Sequence, residues 1–254
     1  MNYYYLKLII LEFFWNIRLY SFSIITFNSK YSKKLFELKT KGVVVIPKYF
    51  TEEYINLAKK RCKIALDNSN LYNKDLIEGS IKIKHLGLKD SFFKTLQHNF
   101  FLKIISFVYM FKFKTFYRGA LMIYSLTHDG SYKHPSVPGK FSGLMIAGDP
   151  HFDESVHGIK AFVALKKIES ENGPFTSIIG SNCNKLLFQN YINHQKKIPN
   201  SHIIDKEKFE NLKMNNKIFE GTVDKGDLVI MDTRNVHYAS SLKKGVREML
   251  WFYY

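Results

Sequence analysis

The sequence predicts a mainly β fold with helices (α+β): an antiparallel sandwich or jelly roll behind a helical N-terminal half. Three observations carry this expectation. From Thr115 onward, short β-type runs recur at close intervals with turn residues between them: FYRGALMIYSL, FSGLMIAG, IKAFVALKKI, PFTSIIG, IFEGTV, DLVIMD and REMLWFYY. Ahead of them, one strand and one capped helix stand in close succession. No internal repeat, low-complexity tract or glycine-rich linker divides the 254 residues, a length that one large domain fills with a sizeable core. The expected organisation is a single domain over 1–254, with a helical extension over 1–40, a core over 115–254 and helical insertions near 184–215.

The first element, MNYYYLKLIILEFFWNIRLYSFSIITF, is apolar and aromatic, but Lys7, Glu12, Asn16 and Arg18 interrupt it. No uncharged run reaches the roughly 18 residues a membrane span needs. A basic n-region and a small-residue cleavage site are both missing, which argues against a secretory leader. The expectation is a helix packed on the domain, with a helix lying on a membrane surface as the alternative. Next, KGVVVIP is a β-branched run after a turn-prone Lys-Gly and reads as a strand. Thr51 precedes EEYINLAKKRCKIALD, where its hydroxyl caps the helix and Glu52 and Glu53 suit the positive first turn. Between Asn68 and His98 the pattern is weak. Asn99 to Phe113 is apolar enough for a buried helix, a strand being the alternative, and the polar stretches Asn184–Gln195 and Lys206–Asn215 read as helices laid over one face.

The net charge of +16 is mostly lysine spread along the whole chain. A basic balance of this size suits anionic partners, although abundant Lys, Asn, Ile, Tyr and Phe are also what an AT-rich coding bias produces. The two cysteines, Cys62 and Cys183, lie far apart with no metal-site spacing. That argues against a disulfide scaffold and for a reducing, cytoplasmic setting.

Chemistry concentrates in GDPHFDESVHG, Gly148 to Gly158. His151 and Asp153 form H-x-D, which on one extended strand would put both side chains on the same face. Alone the pair means little in a chain with nine histidines. A third donor follows in GDLVIMDTRNVHYAS, where His237 comes just after a strong strand. Two histidines and one carboxylate make the facial triad of non-haem Fe(II) oxygenases, which leaves coordination sites open for an oxo-acid and O2. Arg247 begins the last strand, and a guanidinium fork there matches the far carboxylate of 2-oxoglutarate. His157, His128 and His134 read as loop residues near the mouth. Glu154 would replace Asp153 only after a register slip that turns it away from His151. Lys160 reads as a solvated or snorkelling lysine, with the barrel interior and an acidic substrate as its alternative.

Over most of its length the chain resembles the phytanoyl-CoA dioxygenase-like group of Fe(II)/2-oxoglutarate dioxygenases. LKTKGVVVIPKYFTEEYINLAKKRC is similar to the group's opening strand and helix. HFDESVHGIKAFVALKKIESENGPFTSIIGS is similar to its metal strand, core strand and Asn-Gly-Pro turn, and KGDLVIMDTRNVHYASSLKKGVR to its Gly-Asp strand, distal His and cosubstrate Arg. The resemblance implies a double-stranded β-helix (jelly roll, cupin-like) core, iron on His151, Asp153 and His237, and 2-oxoglutarate on Arg247 with Tyr124 as a second contact. It further implies hydroxylation of an aliphatic C–H of a small metabolite, with succinate and CO2 released, and the basic charge of the chain tilts the choice toward an anionic one. The carboxylate at 153 favours hydroxylation, since halogenating relatives have a small residue there. Three positions depart from the pattern: Asn182 stands where the group often has His, and Ser240 and Ser241 where it often has Asn. Two other functions fit parts of the sequence: a catalytically silent metal-binding module at a membrane surface, and a nucleic-acid repair dioxygenase. The latter class carries two arginines after the distal His, and Arg247 is the only one here, which argues against nucleic acid as partner.

Overall fold

The computed structural model describes residues 3–25, 30–68, 73–77, 80–97, 99–110, 122–128, 149–154, 158–183, 185–240 and 242–253. The expected strand FSGLMIAG and the loop histidines His134 and His157 lie outside them.

Two N-terminal helices, α1 (Tyr3–Ile25) and α2 (Lys30–Lys41), lead into β1 (Val43–Ile46). Gly42 makes the transition. Its φ of 72° is a left-handed helix stop that glycine adopts without strain, and its N–H donates to the Leu38 carbonyl at 2.8 Å. The Thr51 hydroxyl accepts from the Tyr54 N–H, as expected, and starts α3 (Glu52–Asp67). Then come β2 (Asn73–Ile77), β3 (Ser80–Lys84), the short helices α4 (Leu86–Lys89) and α5 (Ser91–Gln97), and α6 (Phe100–Met110), which settles the helix-or-strand question of that run. The C-terminal part holds β4 (Met122–His128), β5 (Ile159–Ala164), β6 (Phe175–Ile178), α7 (Phe188–Gln195), α8 (Lys206–Asn215), β7 (Ile218–Glu220), β8 (Leu228–Asp232), β9 (His237–Ala239) and β10 (Val246–Tyr253). Both expected insertions are helical, and the Asp205 carboxylate caps α8 from the Lys208 N–H.

The strands form a large antiparallel sheet, β1-β8-β5-β10-β4-β3-β2, and a small one, β7-β6-β9. Three strands of the large sheet, β1, β2 and β3, come from ahead of residue 115. Alternation along its central strands assigns two faces. Ile159, Ala161 and Val163 of β5, with Leu250 and Phe252 of β10, pack under the helices in a core that includes Trp15, Leu38, Ile55 and Ile105. Phe162 and Ala164, with Met249, point the other way and meet Phe175 of the small sheet. Buried on both sides, β8 reads LVIMD with no polar residue before its last. The layer between the sheets is where the functional side chains stand. Among the described residues no helix is long and apolar enough to cross a membrane.

Candidate metal centre

His151 and Asp153 do not lie on a regular strand, as the H-x-D reading had them. His151 forms an isolated antiparallel bridge with His237 at the start of β9, each residue's N–H donating to the other's carbonyl at 3.0 and 2.9 Å. Asp153 sits in a bend two residues on, its N–H held by the Thr233 carbonyl at 2.8 Å. The short segment is thus laced to the β8–β9 connection, and the three side chains meet by pairing across it.

The donor atoms of His151, Asp153 and His237 all lie within 4.8 Å of one another. His237 Nε2 is 3.3 Å from Asp153 Oδ2, and His151 Nε2 is 3.9 Å from Oδ1. Three facial donors about 2.1 Å from a shared ion stand about 3 Å apart, so only small adjustments separate this arrangement from a coordination sphere. Both rings are oriented from behind. His151 Nδ1 lies 2.7 Å from the Asp149 carbonyl and His237 Nδ1 2.8 Å from the Asn235 carbonyl. A ring that donates from Nδ1 to a carbonyl keeps the Nε2 lone pair for a metal. Burial, and then the neighbouring His237, push the His151 imidazole down to about 3, the neutral state a ligand needs. Asp153 Oδ2 is buried and held by cationic or potentially cationic neighbours, His237 Nε2 and Lys160 Nζ, a setting that favours the ionised carboxylate a metal ligand needs.

Lys160 turns inward, against the solvated reading. Its Nζ lies 2.5 Å from Asp153 Oδ2 and 5.0 Å from the Tyr253 ring centroid. Burial opposes the charge on both groups, but their attraction prevails: the lysine is raised, and the Asp153 carboxyl is held well below the usual carboxylate range. Lys160, Phe162, Met249 and Trp251 belong to the inter-sheet face of β5 and β10, and Arg247 follows the same alternation. Arg247 is 5% exposed, and burial lowers it to about 10. One of its amino groups donates to the Gly173 carbonyl, while Nε has no partner. The Asn-Gly-Pro turn therefore helps to position it: Asn172 Nδ2 donates to the Lys244 carbonyl at 2.8 Å, anchoring the loop that enters β10. Tyr124 stands in β4 opposite Leu250 and Ile83. Its side chain, like that of His128, lies outside the described residues.

Behind His237 is a buried polar network that sequence reasoning missed. Asp232 accepts from Tyr109 Oη at 2.7 Å, Asn182 Nδ2 at 3.0 Å and Arg234 Nη2 at 3.1 Å. Asn235 Oδ1 accepts from the Asn182 N–H at 2.9 Å, and Asn235 Nδ2 donates to Ser177 Oγ. Asn182, which stands where the resembled group often has His, is a 1% exposed structural link, and Ser240 Oγ pairs with Thr176 Oγ1 at 2.8 Å. His202 also stands beside the site, its ring 6.5 Å from that of His151. The available signal was the run DTRN itself: four polar residues between two buried strands must be satisfied internally.

No family model and no curated protein matches the sequence. Solved structures do match the fold. The epimerase SnoN in complex with Fe3+, alpha ketoglutarate and nogalamycin RO superposes with a TM-score of 0.59 at 11% identity, over 88% of this chain and 82% of its own. The non-heme alpha ketoglutarate dependent carbocyclase SnoK from nogalamycin biosynthesis gives 0.59 at 16%, over 89% and 83%. EctD from S. alaskensis, with 2-oxoglutarate and 5-hydroxyectoine, gives 0.62 at 12%, over 87% and 74%. The chain has the fold of these 2-oxoglutarate-dependent enzymes, and carries in it a His-Asp-His group able to hold a metal ion.

Proposed function

We propose that this protein is an Fe(II)- and 2-oxoglutarate-dependent dioxygenase that hydroxylates an aliphatic C–H of a small, anionic metabolite in the cytoplasm. One observation carries the reading: two Nε2 atoms and a carboxylate converge, with both imidazoles fixed from Nδ1 by backbone carbonyls. A structural site closes its coordination sphere with protein ligands, whereas three donors on one side leave room for reactants.

In this reading His151, Asp153 and His237 hold the iron, which with 2-oxoglutarate and O2 supplies an oxidant for an unactivated C–H bond and releases succinate and CO2. Arg247 grips the far carboxylate of 2-oxoglutarate, its buried Nε being the unused donor. Lys160, paired with Asp153, would keep its ammonium in the inter-sheet layer were that carboxylate to hold an ion, and there it favours an anionic substrate. Phe162, Phe175 and Trp251 wall the layer and exclude water. The chain's own contribution is thus orientation and dryness.

Anaerobic titration of the Fe(II)-loaded protein with 2-oxoglutarate tests this. Two-point chelation gives a weak visible charge-transfer band, expected in wild type and lost in His237→Ala. A folded, iron-loaded wild type without the band would remove the cosubstrate and leave a silent metal-binding module. With a substrate found by succinate release, His151→Ala, Asp153→Ala and His237→Ala should each retain less than about a tenth of the turnover.

A further inference from the structure

Helix α1 is apolar nearly all round, and only one side of it is covered. Leu8, Trp15 and Leu19 pack inward. Glu12, its single acid, also turns inward to Arg234 at 3.2 Å, and Arg18 donates to the Val108 and Tyr109 carbonyls at the end of α6. The helix is therefore docked firmly by one face. The opposite face presents Leu6, Ile9, Ile10, Phe13, Phe14 and Ile17 to solvent, at the i, i+3, i+4, i+7 spacing of a continuous stripe. Phe13 and Phe14 are 60% and 62% exposed, and Tyr3 and Tyr20 close the two ends at 70% each. Scattered exposed apolar residues are ordinary, whereas a stripe along most of a 23-residue helix is a surface meant to be covered.

The borders of the stripe identify what covers it. Beside the C-terminal part of α1, α2 carries five lysines against one acid; Lys34 and Lys41 pair with Glu37 and Lys39 with Asn16, and Lys33 is exposed. At the N-terminal end, Lys196 lies 5.6 Å over the Tyr4 ring, Lys197 follows it, and Lys7 reaches Gln195. An apolar stripe capped by tyrosines and bordered by lysines, on a chain of net charge +16, matches the acyl boundary and headgroups of an anionic bilayer. A second copy meets the charge less well, because a two-fold contact would set the lysine borders against each other.

We infer that α1 is a monotopic membrane-surface element, lying in the plane of an anionic lipid bilayer with Phe13 and Phe14 seated at the acyl boundary. The inference is independent of the chemistry proposed for the metal centre. Vesicle co-sedimentation of the full-length protein tests it, using phosphatidylcholine alone and phosphatidylcholine with phosphatidylglycerol. Wild type should bind the anionic vesicles and lose binding as salt rises. Phe13→Ser/Phe14→Ser should weaken binding by about tenfold or more, and Leu57→Ser, an equally apolar but distant change on exposed α3 surface, should bind as wild type. Circular dichroism melts identify a variant that fails to fold, for which Ile9→Ser/Ile17→Ser substitutes. Absence of wild-type binding to anionic vesicles overturns the inference. So does a dimer in light scattering that Phe13→Ser/Phe14→Ser dissociates, which would give the face to a second copy.

Discussion

At the scale of single residues, the candidate centre holds its ligands ready at the expense of acid stability. The unfolded chain binds a proton at the imidazole of residue 151 near pH 6.5, whereas the folded chain resists until about 3. Between those values the unfolded state carries more protons, so stability falls as pH falls through that window. Asp153, held low in the folded state, extends the loss below the ordinary carboxylate value of about 4. Urea melts of metal-free protein should therefore lose stability between pH 7 and pH 5, and His151→Gln should flatten the dependence; an equal slope in both proteins would place the responsible group elsewhere. Arg247 makes a different demand. Its value lies in a planar fork, so Arg247→Lys should raise the 2-oxoglutarate concentration for half-maximal band formation by about tenfold, with iron binding unchanged. An unchanged requirement would assign the cosubstrate to another residue.

At the scale of elements, the junction between α2 and β1 governs the site from a distance. Gly42 lies at positive φ, and a Cβ built on it would collide with the Asn235 side-chain amide, the group that ties Ser177 and Asn182 together behind His237. Gly42→Ala should cost about 2–3 kcal/mol, one part backbone strain and one part displacement of Asn235, or roughly 4–12 °C in melting temperature for a chain of this size. It should also weaken metal binding in isothermal titration, which strain confined to the turn would not do. What the sequence made legible follows from the same physics. KGVVVIP, IKAFVAL, DLVIMD and the capped α3 declared themselves because β-branched runs, turns and caps act locally. NKDLI and SIKIK did not, being short and half polar; SIKIK is placed by pairing with β4, and NKDLI by pairing with SIKIK. The triad was legible as residue types, but its geometry was not. A bridge between residues 151 and 237 is a long-range pairing that no local spacing encodes, and the inward turn of Lys160 depends on a carboxylate delivered by that bridge.

At the scale of the whole molecule, the N-terminal helix and the metal centre belong to one body. Trp15 is 1% exposed in the core and stacks edge-on with Tyr109 at 5.2 Å. Tyr109 donates to Asp232, and Arg234 bridges Asp232 and Glu12. Residues 3–25 are therefore a wall of the domain as well as its outer face. Deleting them would take Leu8, Trp15 and Leu19 out of the apolar core, at about 3–5 kcal/mol for the tryptophan alone, a loss comparable with the whole stability of an ordinary domain. The truncated chain should be insoluble or molten, without the sharp near-ultraviolet circular dichroism of the intact protein; a folded, iron-binding truncation would show the helix to be an accessory. For the cell, a surface that is also a wall cannot be clipped away to free the catalyst, as a tethered anchor can. If α1 seats on a bilayer as inferred, the protein must leave it whole and be able to return, so that ionic strength and lipid charge would set its address and proteolysis would not.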